Sequence, residues 1–210
     1  MMRVLIVDDH SIVRRGLKEI LADEFPKSEA GEAESSRAAL ELVATQEWDI
    51  VLLDINIPGR SGLEMLVEMK RLRPNTPVLV LSAYPEEEFA IRSLKLGASG
   101  YLNKSLSSDE VVIAVKKAMA GGKYVTAALA EKLAARLGSG IQHSPHESLS
   151  GRELQILQMI AEGSTIKEIA VDLALSEKTV GTYRSRISKK MGLMTNVELA
   201  RYALKHRLVD

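Results

Sequence analysis

Through the first 121 residues the apolar positions fall in short runs separated by stretches of helical period. "RVLIVDD" (3–9), "DIVLLD" (49–54), "PVLVLSA" (77–83) and "GYLNK" (100–104) are dense in Val, Ile and Leu and read as strands, with "EAGEA" (29–33) as a weak one. Between them apolar residues recur at helical spacing near 11–23, 35–46, 62–72, 86–96 and 107–120. Ser107 or Ser108 can cap the fifth helix, and Gly97 and the Gly121–Gly122 pair can end the fourth and fifth. Strands alternating with helices predict a parallel sheet wrapped by crossover helices.

Further on, "TAALAEKLAARL" (126–137) sets Leu129, Leu133 and Leu137 on one stripe and predicts a connector helix. "GSGIQHSPHES" (138–148) concentrates Gly, Ser, Pro and His with little to bury, and reads as a flexible linker. His143 and His146 stand three apart there, but two histidines without a carboxylate cluster fall short of a closed metal site. After the linker the strand pattern stops, and "SGRELQILQMIAEG", "TIKEIAVDLAL", "SEKTVGTYRSRISKKMG" and "NVELARYALKHRLV" predict four helices. The expected division is therefore an α/β domain over 1–121, a connector and linker over 122–147, and a helical domain over 148–210.

Composition adds exclusions. The 210 residues are 46% hydrophobic and 27% charged, as in a soluble globular protein of one or two domains. Without cysteine there is no disulfide, thiolate metal site or cysteine nucleophile. No apolar run approaches the roughly 20 residues of a membrane span, and Asp8 and Asp9 interrupt the first strand too early for a signal peptide, so the expected location is the cytoplasm. Formal charge sums to zero but is uneven: residues 1–121 carry 15 Lys and Arg against 19 Asp and Glu, and residues 148–210 carry 10 against 7. A modestly basic helical domain is compatible with a nucleic-acid partner.

In an open α/β sheet, functional groups gather beyond the carboxyl ends of the strands. The first strand ends in Asp8 and Asp9, the third in Asp54, the fourth in Ser82 and the fifth in Lys104. Three carboxylates in one crevice repel one another, a repulsion that a cation offsets or proton uptake relieves. An all-oxygen ligand set selects a hard ion, Mg2+ (or Mn2+), with the backbone carbonyl of Asn56 able to complete the shell. Asp54 can then act as a nucleophile toward a phosphoryl group, with Lys104 and Ser82 stabilising the incoming oxygens. His10 is more simply a neighbour of the acidic loop than a general base.

These residues carry a resemblance. Through "VDDH", "DINIPGRSGLE", "LSA" and "GASGYLNK", residues 1 to about 121 resemble a response-regulator receiver domain. The resemblance implies a flavodoxin-like, doubly wound five-stranded parallel sheet of order 2-1-3-4-5. It implies that Asp54 is the phosphoacceptor, that Asp8 and Asp9 hold the metal, and that Ser82, Lys104 and Tyr101 are the switch hydroxyl, basic partner and switch aromatic. Haloacid-dehalogenase-type phosphatases also use a strand-end aspartate with magnesium, but need a second carboxylate two residues later, where this chain has Asn56. A phosphoacceptor with at most slow self-dephosphorylation is therefore expected rather than an enzyme.

In the helical domain, Ile166, Ile169, Ala170 and Leu173 form one stripe, a turn follows at Leu175 and Ser176, and Ser176 can cap a second helix, which outlines a helix-turn-helix. At about 100° per residue, Val180, Ile187 and Met191 share one side of that helix, flanked by Tyr183 and Arg184. Lys178, Thr182, Ser185 and Lys189 lie opposite, with Gly181 and Arg186 at the margins. Such a face can enter a major groove, and the expected DNA contacts are Lys178, Thr179, Gly181, Thr182, Arg184, Ser185 and Lys189. Residues 148–210 resemble a LuxR-type DNA-binding domain of the NarL/FixJ class, and "TYRSRI" resembles its GacA/UvrY branch. Both resemblances together imply a two-component transcriptional regulator: a sensor histidine kinase phosphorylates Asp54, the helix-turn-helix is released, and a homodimer binds double-stranded DNA. A bundle serving protein docking or dimerisation is the alternative for the C-terminal part.

Overall fold

A computed structural model of the chain describes residues 1–57, 61–82, 86–105, 107–138, 144–206 and 208–209. They form two compact units, Met1–Ala135 and Arg136–Asp210. The first alternates β1 (Arg3–Val7), α1 (Ser11–Glu24), β2 (Glu29–Ala33), α2 (Ser36–Thr45), β3 (Ile50–Asp54), α3 (Gly62–Leu72), β4 (Val78–Ser82), α4 (Glu86–Lys95), β5 (Gly100–Asn103), α5 (Ser108–Met119) and α6 (Ala127–Gly138). The strands are parallel, as the alternation predicted, and run in the order β2-β1-β3-β4-β5 that the resemblance implied.

Every residue of β3 and β4 is buried, which is why those segments are apolar without alternation. On one face Val4, Ile6, Ile50, Leu52, Leu79, Leu81 and Leu102 pack against Leu17 and Leu21 of α1 and Val111, Ala114, Val115 and Ala118 of α5. Ser107 caps α5 through a capping box with Glu110, and Gly97 and Gly121 adopt positive φ beyond α4 and α5. The register pairs Val7 with Leu53, Asp54 with Leu81 and Ser82 with Asn103, so the strands end together at one edge.

β2 reads weakly in the sequence because it is an edge strand with few buried positions, paired only to β1. Gly31 makes it possible: a Cβ there would lie 2.2 Å from the Trp48 ring, which the glycine admits instead. The ring is held by its Nε1 donating to the Leu42 carbonyl, 3.1 Å away, and by the Arg3 guanidinium 5.0 Å from its centroid.

The second unit holds a 3-10 turn (Pro145–Ser148), α7 (Gly151–Ala161), α8 (Ile166–Asp172), α9 (Glu177–Met191) and α10 (Asn196–Lys205). Ser150, Thr165 and Thr195 open α7, α8 and α10 with capping boxes closed by Glu153, Glu168 and Glu198. Leu154, Leu157, Ile169, Val180, Ile187 and Leu199 are buried in its core.

Two segments differ from expectation. Tyr124 docks beside Gly100 of β5, and α6 falls largely within the first unit, so that unit extends beyond Gly121 to Ala135. The expected linker is also shorter: Pro145–Ser148 is structured and His146 is only 3% exposed. His146 Nδ1 lies 2.8 Å from Tyr202 Oη, with the His206 ring 5.5 Å away, partners on α10 and at its C-cap that local composition could not announce. Residues 139–143, including His143, lie outside the described residues, as does Ala83 at the end of the expected fourth strand.

Candidate functional site

β1 ends at Val7, and the chain turns at once: the Asp8 N–H donates to the Ala33 carbonyl at 3.1 Å, while Asp8 Oδ1 accepts the His10 N–H at 2.8 Å. Asp8 and Asp54 are both fully buried. Between them the Lys104 ammonium lies 2.7 Å from Asp54 Oδ2 and 2.7 Å from Asp8 Oδ2. The contact to Asp54 is a hydrogen bond, whereas Asp8 Oδ2 is paired by proximity alone and accepts none. Lys104 is delivered by its own N–H donating to the Ser82 carbonyl at 2.8 Å, and Asn56 donates its N–H to Asp54 Oδ1 at 3.0 Å.

Burial raises the Asp54 pKa against the lowering pull of Lys104 and the Asn56 N–H, and the Asp8 charge adds to the rise. For Lys104, burial opposes the charge, but the two carboxylates outweigh it and leave the pKa raised. Two buried carboxyl groups thus share one lysine. One ligand atom from each of Asp8, Asp9, His10 and Asp54 lies within 4.8 Å of the others. The set fits a divalent cation, since Asp8 Oδ2 is a buried anionic oxygen without a hydrogen bond and most donors are carboxylate oxygens. Ser82 and Tyr101 are fully buried; Tyr101 pairs in register with Val80, two residues before Ser82, so both side chains belong to one sheet face.

In the second unit α8 and α9 meet through a turn in which Ala174 has φ 51° and the Leu175 N–H donates to the Ala170 carbonyl at 2.8 Å. Ser176 caps α9 by accepting the Thr179 N–H at 3.1 Å. Val180, Ile187, Ser188 and Met191 face inward, while Lys178, Thr182, Ser185 and Lys189 are exposed and Thr179, Gly181 and Arg184 half-buried. The Thr179 hydroxyl belongs to the cap, 2.7 Å from Ser176 Oγ. Arg184 is drawn aside, its Nε donating to Asn196 Oδ1 and its Nη2 to the Met194 carbonyl, each at 2.9 Å, so it braces the turn into α10.

Residues 4–116 match the response regulator receiver domain family, and residues 147–203 match the family described as bacterial regulatory proteins, luxR family. The whole chain aligns at 39% identity with 99% of Response regulator GacA of Pseudomonas aeruginosa, and at 36% identity with 97% of Response regulator UvrY of Escherichia coli. The chain is a response regulator. Its likeness to GacA and UvrY runs the full length, beyond the C-terminal motif that suggested it. This regulator is also similar to the solved structure of RcsB from Salmonella enterica serovar Typhimurium bound to promoter rprA in the presence of phosphomimetic BeF3-, with a TM-score of 0.66 and 27% identity over 96% of this chain and 97% of that one. It is a DNA-binding regulator of the two-component type, a receiver joined to a LuxR-type helix-turn-helix. No helix among the described residues of this regulator is long and apolar enough to cross a membrane.

Within the regulator's receiver, Asp8, Asp9, Asp54, Asn56 and Lys104 come together as the strand ends suggested, and His10 joins them with Nδ1 2.9 Å from Asp9 Oδ1. His10 was legible only as a sequence neighbour, because its orientation depends on the Asp8 turn. On α9 the regulator has a shallow concavity of about 340 Å3 lined by Lys178, Thr179, Thr182, Tyr183 and Arg186. Tyr183 and Arg186 are thus part of the outward surface, with the Arg186 guanidinium 5.9 Å from the Tyr183 ring centroid. Helical phase put both between faces, and the packing of α9 decides their side.

Proposed function

We propose that the protein is a phosphorylation-gated transcription factor of the cytoplasm, whose phosphoacceptor is Asp54 and whose phosphodonor is the phosphohistidine of a sensor kinase. The observation that carries this reading is the placement of one ammonium 2.7 Å from two fully buried carboxylates at the sheet edge, in a chain whose other unit is a LuxR-type module. An Asp54 carboxylate oxygen forms a bond to phosphorus as the donor's P–N bond breaks, and that bond's electron pair stays with the departing imidazole. Asp8, Asp9, Asp54 and the backbone carbonyl of Asn56 would hold Mg2+ (or Mn2+), which supplies positive charge to the phosphoryl oxygens. Lys104 keeps its ammonium against the same oxygens, and the Ser82 hydroxyl donates to one of them. Tyr101, on the sheet face of Ser82, follows its movement. Asn56 stands where a turnover phosphatase needs a second carboxylate, so the acyl phosphate persists as a signal rather than an intermediate of steady hydrolysis.

Phosphorylation biases the receiver between two states and releases the helix-turn-helix, which needs only a few kcal/mol of differential stabilisation. Dimerisation then aligns two α9 helices on half-sites about one DNA turn apart, with Lys178, Thr179, Gly181, Thr182, Ser185 and Lys189 at the groove, while Arg184 stays with Asn196 and the Met194 carbonyl. The test is incubation of the full chain with acetyl phosphate and Mg2+, followed by mass measurement and DNA selection with both forms. The expected result is a single added phosphoryl group, absent from Asp54→Asn, and tighter DNA binding by the modified protein. Equal operator affinity of both forms would remove the gating.

A further inference from the structure

The geometry points to Arg14 as a positioning residue for the acidic edge, fixing the peptide that joins Asp8 to Asp9 while Glu32 of β2 holds the guanidinium in place. This rests on the reading of Asp8, Asp9 and Asp54 as cation ligands. Arg14 Nη1 donates to the Asp8 carbonyl at 2.8 Å and Nε to Glu32 Oε2 at 2.9 Å. The other Glu32 oxygen accepts from Lys18 Nζ at 2.6 Å. The Asp8 carbonyl belongs to the planar peptide between the two aspartates, so gripping it sets the plane from which both carboxylates hang. A guanidinium suits this because its donors are rigidly spaced and can serve a carbonyl and a carboxylate together.

Burial and charge set Arg14 apart from the surface cations around it. Its side chain is 13% exposed, whereas that of Arg15 is 83% exposed and pairs outward with Glu19. Hydrogen bonds from Lys18 and Arg14 hold the Glu32 pKa below the usual carboxylate value, so the anchor stays ionised. β2 thereby gains a role beyond closing the sheet: its register opposite β1, Ile6 to Glu32, brings the anchor beside the acidic turn.

The sign of the effect separates positioning from simple electrostatics. Arg14 is a cation one hydrogen bond from a metal ligand's backbone, and by Coulomb's law alone its removal should tighten binding of a divalent cation. Positioning demands the reverse. Calorimetric titration of the full chain with Mg2+ is expected to show about tenfold weaker binding for Arg14→Gln, the loss typical of a residue that orients metal ligands. Arg15→Gln, which removes the same charge one residue away, should leave the affinity unchanged. Arg14→Lys keeps the charge but replaces the rigid, widely spaced donors by one flexible ammonium and should fall between, and it carries the test if Arg14→Gln does not fold. Arg14→Gln with Glu32→Gln should bind no more weakly than Arg14→Gln alone, since Glu32 acts through Arg14. Binding by Arg14→Gln or Arg14→Lys as tight as the unaltered chain, or tighter, would overturn the assignment. Failure of the unaltered chain to bind Mg2+ would instead overturn the ligand reading beneath it, and this inference with it.

Discussion

Lys190 reaches from α9 to α7 and closes on Glu153 at 2.6 Å, so its charge serves a contact within the helical unit. The same ammonium lies 3.2 Å from the Ser148 carbonyl, and Glu153 also accepts the Ser150 N–H at 2.6 Å to complete the cap of α7. Burial raises the Glu153 pKa, but Lys190 and Ser150 together bring it below the ordinary value. A carboxylate depressed on folding contributes stability above its unfolded pKa, about 4.3, and loses it as pH falls through the folded value. The stability of the helical unit, followed by urea melts from pH 7 to pH 3, should therefore fall below about pH 4.3. Glu153→Gln should flatten part of that slope and cost about 1–2 kcal/mol at neutral pH, moderated because Lys190 is still wetted by solvent.

The same contact sorts the basic residues of α9. Lys178 and Lys189 are exposed, and removal of either by alanine should reduce the slope of log affinity against log salt by about 0.9, the value for one lost phosphate contact on duplex DNA. Lys190→Ala should leave the slope unaltered and lower the melting temperature instead. A slope change for Lys190→Ala equal to that for Lys178→Ala would contradict this division.

Lys104 is the cation between Asp8 and Asp54, with its side chain 18% exposed. Lys104→Ala leaves two buried carboxylates facing each other and should destabilise the receiver by about 3 kcal/mol in chelator-treated protein. Added Mg2+ should restore part of that loss, because a bound cation replaces the missing charge. Equal stability of the variant and the unaltered chain in chelator would show that the carboxylates are already neutral.

Gly62 opens α3 against the backbone of Asp54 and Ile55 at the end of β3. A Cβ there would lie 2.4 Å from Ile55 Cα and 2.8 Å from the Asp54 carbonyl oxygen, both backbone atoms with little room to yield. Gly62→Ala should cost about 2 kcal/mol by overpacking and displace the end of β3 that carries Asp54. Slower labelling by a phosphodonor, together with the lower melting point, is the expected readout.

Ala174 occupies the left-handed region at the end of α8, where a side chain costs roughly 1–2 kcal/mol relative to an ordinary helical conformation. Ala174→Gly relieves that strain and is expected to stabilise the helical unit by about 1 kcal/mol, less the extra chain entropy of glycine. Thermal melts of the two forms decide it.

Periodicity and strand-end chemistry were enough to set the element order, the parallel sheet and the convergence of Asp8, Asp9, Asp54 and Lys104, because short-range patterns report directly which residues are buried and where strands stop. They also marked the helix-turn-helix and its outward lysines. Folding alone decided the partners: the seat of Trp48 over Gly31, the docking of His146 against Tyr202, the diversion of Arg184 and Lys190 into internal braces, and the grip of Arg14 on Asp8. Each joins different elements, Arg14 to Glu32 across 18 residues and His146 to Tyr202 across 56. Local sequence says that a side chain is polar and which way it faces; only the packed chain brings the atom that answers it within hydrogen-bond distance.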